Sequence, residues 1–280
     1  MGAMWKKRSE TREMYTMLAI DIDDTLITDE KEITEGTKQA LAAAVAQGVK
    51  VTLATGRMYA SAKQLADQLG LNVPIITYQG ALVKNAIDGR VLYERTVPED
   101  AAKQIFDYCE ANGLHLQTYL DDVLYVKEDN DKARAYAQLS NIPYTVHPDF
   151  RELASKPSTK LLLIDDPARL DEVALELRSL LGAAVHITKS KPHFLEIMHP
   201  EGTKGHALTY LAEHFGLELS GAIAIGDSWN DREMLEVAGL GVAMGNAVES
   251  LKDIADYVTY GNNEEGVKHV VEKYILQTVS

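Results

Sequence analysis

The sequence predicts an α/β fold: a doubly wound parallel sheet interrupted by an inserted α+β domain. Three observations predict it. Short apolar runs alternate with amphipathic helices over the first 84 residues. The same rhythm returns near residue 200. Between the two, strands come in antiparallel-looking pairs around turns. Strand–helix alternation is the mark of parallel βαβ units, whereas paired strands mixed with helices mark an α+β unit.

The elements follow in order. "MLAIDI" (17–22) is a short apolar run, as a strand buried on both faces requires. "TEGTKQALAAAVAQGVK" reads as a helix: Thr34 caps it, Leu41 and Val45 share a face, and Gly48 ends it. "VKVTLATGR" gives a second strand, "MYASAKQLADQLG" a second helix closed by Gly70, and "VPIITYQGALV" a third strand. The pattern changes near Lys84. "GRVLYERTV" is strand-like, a helix covers 99–112, and "LHLQTYLDDVLYVKE" reads as a hairpin around its Asp-Asp turn. A helix near 130–139, the strand "TKLLLIDD", a helix near 168–181 and the strands "AAVHITKS" and "HFLEIM" complete the middle. Then come the helix "GTKGHALTYLAEHFG", the strand "SGAIAIGD", the helix "NDREMLEVAG", the strand and turn "LGVAMGNA" and a final helix, "NEEGVKHVVEKYIL". The expected domains are a leader at 1–12, a core at 13–84 and 194–280, and an insert at 85–193.

Bulk composition excludes several classes. The 280 residues are 46% hydrophobic and 25% charged, in the range of globular chains. The net charge of −14 argues against nucleic acid, which wants a basic face. It does not exclude an anionic substrate, because a few local cations or a metal can dominate one pocket. With one cysteine, Cys109, no internal disulfide is possible, which suits a reducing cytoplasm. The polar start "MGAMWKKRSETREMYTM" lacks the apolar centre of a signal peptide, and no apolar run is long enough for a membrane span. Oligomeric state is not legible.

In an open parallel sheet, ligands bind beyond the carboxyl ends of the strands. Four polar clusters fall at such places or beside them: "DIDDT", "ATGR", "EGTKG" and "GDSWND". Asp21 and Asp23 are two apart, so an extended segment points both the same way, with Ile22 turned to the core. Asp227 and Asp231 are four apart at a helix start and are expected to share a face. Several carboxylates converging on one point demand a cation, and oxygen-only ligands favour Mg²⁺ over zinc. Thr55 and loop amides suit an anionic oxygen, and Lys204 is a compact charge suited to phosphate. Such a set fits phosphoryl transfer, with one carboxylate as nucleophile and another moving protons.

"DIDDT", "LATGR", "TKG" and "GDSWND", in that order, resemble the four motifs of the haloacid dehalogenase superfamily. The long insert resembles its C2-type cap. "ITYQGAL" and "NNEEGVKHVV" resemble the Cof-type phosphatase branch. The resemblance implies an Mg²⁺-dependent phosphatase of small phosphorylated metabolites, either sugar phosphates or a phosphorylated cofactor. It implies Asp21 as nucleophile and Asp23 as general acid/base. On the substrate side, Thr55 would bind the phosphoryl oxygens with Gly56 beside it, Lys204 would neutralise charge around the nucleophile and phosphate, and Asn230 would sit near the phosphate. Mg²⁺ would be held by Asp21, the Asp23 carbonyl and Asp227, with Asp231 behind them. Two positions depart from the branch: Gln79, where Asn is usual, and Trp229, where a small or acidic residue is commoner. A phosphomutase or phosphotransferase shares the same first step. A phospho-accepting signalling module also clusters Asp, Thr and Lys, but has no use for Asp23 or for a large insert.

Overall fold

The computed structural model describes residues 15–71 and 73–277, so the expected leader at 1–12 lies outside them. Along the chain, β1 (Met17–Ile20) leads through a tight, irregular turn at 22–26 to α1 (Glu35–Ala46). Then come β2 (Lys50–Leu53), α2 (Tyr59–Gln68), β3 (Pro74–Thr77), β4 (Leu82–Asn85) and β5 (Val91–Glu94). α3 (Glu99–Ala111), β6 (His115–Leu120), β7 (Val123–Val126), α4 (Asp131–Ser140), β8 (Tyr144–Val146), β9 (Lys160–Ile164) and α5 (Pro167–Leu181) follow. β10 (His186–Lys191) and β11 (Phe194–Met198) precede α6 (Lys204–Phe215) and β12 (Ala222–Gly226). The chain closes with α7 (Arg232–Val237), β13 (Leu240–Ala243), α8 (Glu249–Lys252), β14 (Tyr257–Val258) and α9 (Gly266–Val270).

β14-β13-β12-β1-β2 form one sheet, parallel throughout. All four residues of β1 and all five of β12 are buried, which explains their unbroken apolar runs. Thr34 caps α1 by accepting from the Thr37 amide at 3.2 Å. A lone parallel bridge from Ala54 to Ile76 brings β3 beside β2. Here the structure departs from the sequence reading. "VPIITYQGALV" is not one strand but two, β3 and β4, paired antiparallel and joined by β5 into a three-stranded sheet. The break falls at Tyr78, Gln79 and Gly80, all with positive φ.

A second sheet, β10-β11-β9-β6-β7-β8, is antiparallel except where β7 meets β8. The Asp121-Asp122 turn joins β6 to β7 with both residues left-handed, as a tight hairpin needs. Period-two alternation divides its two faces. Leu161, Leu163, Leu195 and Ile197 pack with Ile105, Phe106 and Leu177 of α3 and α5. Leu162, Phe194 and Tyr119 join the cluster that contains β1 and β12. This sheet is a cap seated on the parallel core. β11 pairs within the cap sheet, so the expected boundary at 193/194 falls just ahead of a cap strand. The sequence reading also lacked β8 and β14, of three and two residues.

Candidate active site at the carboxyl ends of the parallel strands

Asp21 directly follows β1, with extended backbone. It is buried, and its amide donates to the Ile225 carbonyl of β12 at 3.0 Å. Lys204 opens α6 and is fully buried. Its ammonium reaches Asp21 Oδ1 at 2.5 Å and Asp231 Oδ1 at 2.6 Å. Asp231 turns its other oxygen back to accept from the Asp227 and Ser228 amides, both at 3.0 Å. Gly226 makes room for this fold-back, since a Cβ there would meet the Asp231 carboxylate. Asp227 accepts from the Thr25 hydroxyl at 2.8 Å. Asp227 and Asp231 therefore meet through a turn around Trp229–Asp231, not along one helical face.

Asp23 points into the same cavity and is held by Arg57 through both oxygens, at 2.8 and 2.9 Å. Burial opposes its charge, but Arg57 wins and keeps the carboxyl below its ordinary range. Thr55 is buried beyond β2 and its hydroxyl accepts from the Arg57 amide at 3.1 Å. Asp21, Asp23, Thr55, Gly56, Asp227 and Asn230 all line one small cavity of about 80 Å³. Tyr136, Leu139, Ser140 and Ile142 of α4 and its flank, with Lys191 and Phe194, form its cap wall. A larger hollow of about 700 Å³ lies within the cap beside α3 and β6, remote from these acids, so size does not locate the chemistry. Asp24 lines the same cavity but is half-exposed and meets Lys191 at 3.3 Å.

One ligand oxygen each from Asp21, Asp227 and Asp231 lies within 4.8 Å of the others. Three carboxylates face one ammonium there, a surplus of negative charge in a buried place. Burial first, then Asp231, pushes the Asp227 carboxyl up to about 7. Burial likewise raises Asp21, with Lys204 opposing and Asp231 and Asp227 adding to the rise. Burial works against the Lys204 charge, yet Asp21 and Asp231 outweigh it and hold it above the ordinary lysine value. Hard oxygen donors with surplus negative charge fit a divalent cation such as Mg²⁺. Asp21 and Asp227 have an oxygen to offer it. Both oxygens of Asp231 are already engaged by Lys204 and the two amides.

Other residues of this region stood out less in sequence. Arg57 closes the "ATGR" cluster in sequence, which does not show that it grips Asp23. Lys160 and Glu196, a fully buried pair at 2.8 Å beside Gly56 and Gln79, gave one signal: a charge inside an otherwise apolar strand.

Fold and site together define an enzyme of the doubly wound α/β class, capped, with an acidic centre at the ends of its parallel strands. The family model of the haloacid dehalogenase-like hydrolases matches residues 18–271, and the chain belongs to that family. It is similar to the Streptococcus pyogenes (serotype M6) protein M6_Spy0533, at 36% identity over 93% of this chain and 98% of the relative. It is 32% identical to the Bacillus subtilis 5-amino-6-(5-phospho-D-ribitylamino)uracil phosphatase YitU, over 92% of this chain and 97% of that one. The solved structure of the subclass IIB sugar phosphatase BT4131 superposes with a TM-score of 0.84 at 27% identity, covering 92% and 98% of the two chains. Among the described residues, no helix is long and apolar enough to cross a membrane.

Proposed function

We propose that the chain is an Mg²⁺-dependent phosphatase of small phosphorylated metabolites, working through an aspartyl-phosphate. The observation that carries this reading is the placement of Asp21. It is buried at the end of β1, in contact with Lys204, and it lines a cavity that also holds Asp23, Thr55, Gly56 and Asn230. The Asp21 carboxylate attacks phosphorus, and the leaving oxygen departs with a proton from Asp23. Asp23 then takes a proton from water as that water attacks the phospho-enzyme, releasing phosphate and restoring Asp21. Asp23 must leave Arg57 to carry a proton, so the bidentate pair is a resting arrangement. Thr55 and Gly56 hold the phosphoryl oxygens, Asn230 lies beside them, and Lys204 opposes the rise that burial imposes on the Asp21 carboxyl. Mg²⁺, held by Asp21, the Asp23 carbonyl and Asp227, supplies charge neutralisation at the phosphoryl group when bound. Asp231 supports Asp227 and Lys204.

The cap walls one side of the cavity, which favours small phosphorylated metabolites of the kind named for the relatives. Asp21→Asn is expected to abolish p-nitrophenyl phosphate hydrolysis while leaving the protein folded. Substantial residual turnover would overturn the reading. A panel of phosphorylated metabolites ranked by kcat/KM identifies the substrate. Isomerisation without phosphate release would mark a mutase instead.

A further inference from the structure

The cap sheet carries a buried ion pair that the reaction above does not use. Lys160 of β9 and Glu196 of β11 are 1% and 2% exposed. Both lie on the face turned toward the parallel sheet, because they share parity with Leu162 and Phe194. A buried ion pair is costly and weak evidence for stability, so another role is worth seeking. Its contacts supply one. Lys160 Nζ donates to Glu196 Oε1 at 2.8 Å and to the Gly56 carbonyl at 2.9 Å. The other Glu196 oxygen accepts from Gln79 Nε2. Gln79 Oε1 accepts from Asn230 Nδ2 at 2.8 Å.

The chain has a direction. A carboxylate held by a buried lysine only accepts hydrogen bonds, so it compels Gln79 to turn its NH₂ toward the cap. Gln79 must then present its oxygen to Asn230. Asn230 must in turn spend an N–H on Gln79. Its Oδ1 is left buried and without a partner, on a residue that is 7% exposed and lines the cavity beside Asp21 and Thr55. Buried acceptors without partners are rare in folded proteins.

We propose that Lys160 and Glu196 are positioning residues: acting through Gln79, they fix the Asn230 amide so that its oxygen serves as a hydrogen-bond acceptor for a donor group of the substrate. Lys160 also pins the Gly56 carbonyl, one residue from Thr55. The donor is a hydroxyl or N–H of the leaving group. The Gln79 side chain is long enough to span from Asn230 to the cap pair, and Gly56 leaves it room, since a Cβ there would meet the Gln79 amide.

The inference rests on the phosphatase reading for its consequence but not for its first test. In ¹⁵N-labelled wild-type protein, one Asn230 side-chain N–H is expected to exchange slowly. Glu196→Gln removes the enforced polarity, and Gln79→Leu cuts the chain without changing charge, which keeps the test open if the first variant does not fold. Either variant is expected to speed that exchange about tenfold or more, as loss of one buried hydrogen bond allows. Unchanged exchange in Gln79→Leu overturns the proposal. The second test is a kinetic cycle with a hexose phosphate, whose leaving group carries the hydroxyl donors that p-nitrophenyl phosphate lacks. Glu196→Gln is expected to lower kcat about tenfold in wild type and to have no further effect on an Asn230→Ala background. Effects that multiply would show that Glu196 does not act through Asn230, and overturn the proposal. If wild type hydrolyses neither this ester nor p-nitrophenyl phosphate, the phosphatase reading fails, while the exchange measurement still judges the relay.

Discussion

Asp122, at the tip of the cap hairpin, caps the core helix that begins at Tyr59. Its two oxygens accept from the Tyr59 and Ala60 amides, each at 3.0 Å, across more than sixty residues of sequence. The Tyr78 hydroxyl donates to the same carboxylate at 2.7 Å. A carboxylate at a helix start satisfies otherwise orphaned amides and complements the helix dipole. Here that stabilisation also fastens the cap to the loop that carries Thr55 and Arg57. Asp122→Ala is expected to lower stability by about 1–2 kcal/mol, the usual worth of a cap. Denaturant unfolding of the two proteins measures it. An unchanged midpoint would show that the contact does not hold the cap down.

Lys204 is the only cation in contact with Asp21 and Asp231 among the described residues. Replacing it by methionine leaves two carboxylates buried without a counter-charge. Breaking a buried pair from one side costs about 3–5 kcal/mol. Lys204→Met is therefore expected to be strongly destabilised without metal. Mg²⁺ is expected to raise its melting temperature more than that of wild type, because more uncompensated charge waits for the ion. Calorimetry with EDTA or with Mg²⁺ checks both statements. Equal shifts in the two proteins would mean that the ion does not bind among these acids.

The clustering of the candidate site was legible in sequence because its parts sit at strand ends or helix starts and its acids come in closely spaced pairs. Asp21 and Asp23 both line the cavity, as period two predicts, although the chain turns irregularly from Ile22 on and is not one extended segment. Asp231 was harder. Its contact with Asp227 comes from a carboxylate turning back onto two amides, a local device that competes with helix geometry. The break in "VPIITYQGALV" was hidden, because Tyr78 and Gln79 adopt positive φ without being glycine. Their amides donate to the Arg57 and Thr55 carbonyls, each at 3.0 Å, contacts that the sequence does not announce. Lys160 and Glu196 were visible only as charges within apolar strands, since alternation reveals which face a residue takes but not that a second domain covers that face.

His115 gives the cap a pH dependence of its own. Burial first, and Lys132 beside it, push its imidazole down to about 4, against the opposing pull of Glu128 and Asp165. Gln117 Nε2 and Asn130 Nδ2 each approach a ring nitrogen at 3.1 Å. A depressed histidine contributes stability that is present above its unfolded value of 6.5 and is lost as pH falls toward 4. The span of about 2.5 pH units corresponds to at most about 3 kcal/mol. Other groups titrate in the same window, so the readout is a difference. Stability of His115→Gln is expected to fall less steeply than wild type between pH 6.5 and 4, and parallel curves would rule the effect out.

Gly80 controls where Lys204 sits. Its φ is +105°, and a Cβ there would collide with the carbonyl of Thr203, the residue before Lys204. Both the backbone conformation and the close approach demand glycine. The turn after β3 thus rests directly on the start of α6, where Thr203 caps the helix through the His206 amide at 3.2 Å. An alanine must either push Thr203 away or distort the turn at Gln79. The first moves the Lys204 ammonium off Asp21. The second moves the amide that Asn230 depends on. Gly80→Ala is expected to cost about 2 kcal/mol or more in stability, from backbone strain and contact together. It is also expected to lower kcat for p-nitrophenyl phosphate more than it changes KM, because the displaced groups surround the reacting atoms. A variant that unfolds at the wild-type denaturant midpoint would show that α6 and the turn move apart without resistance.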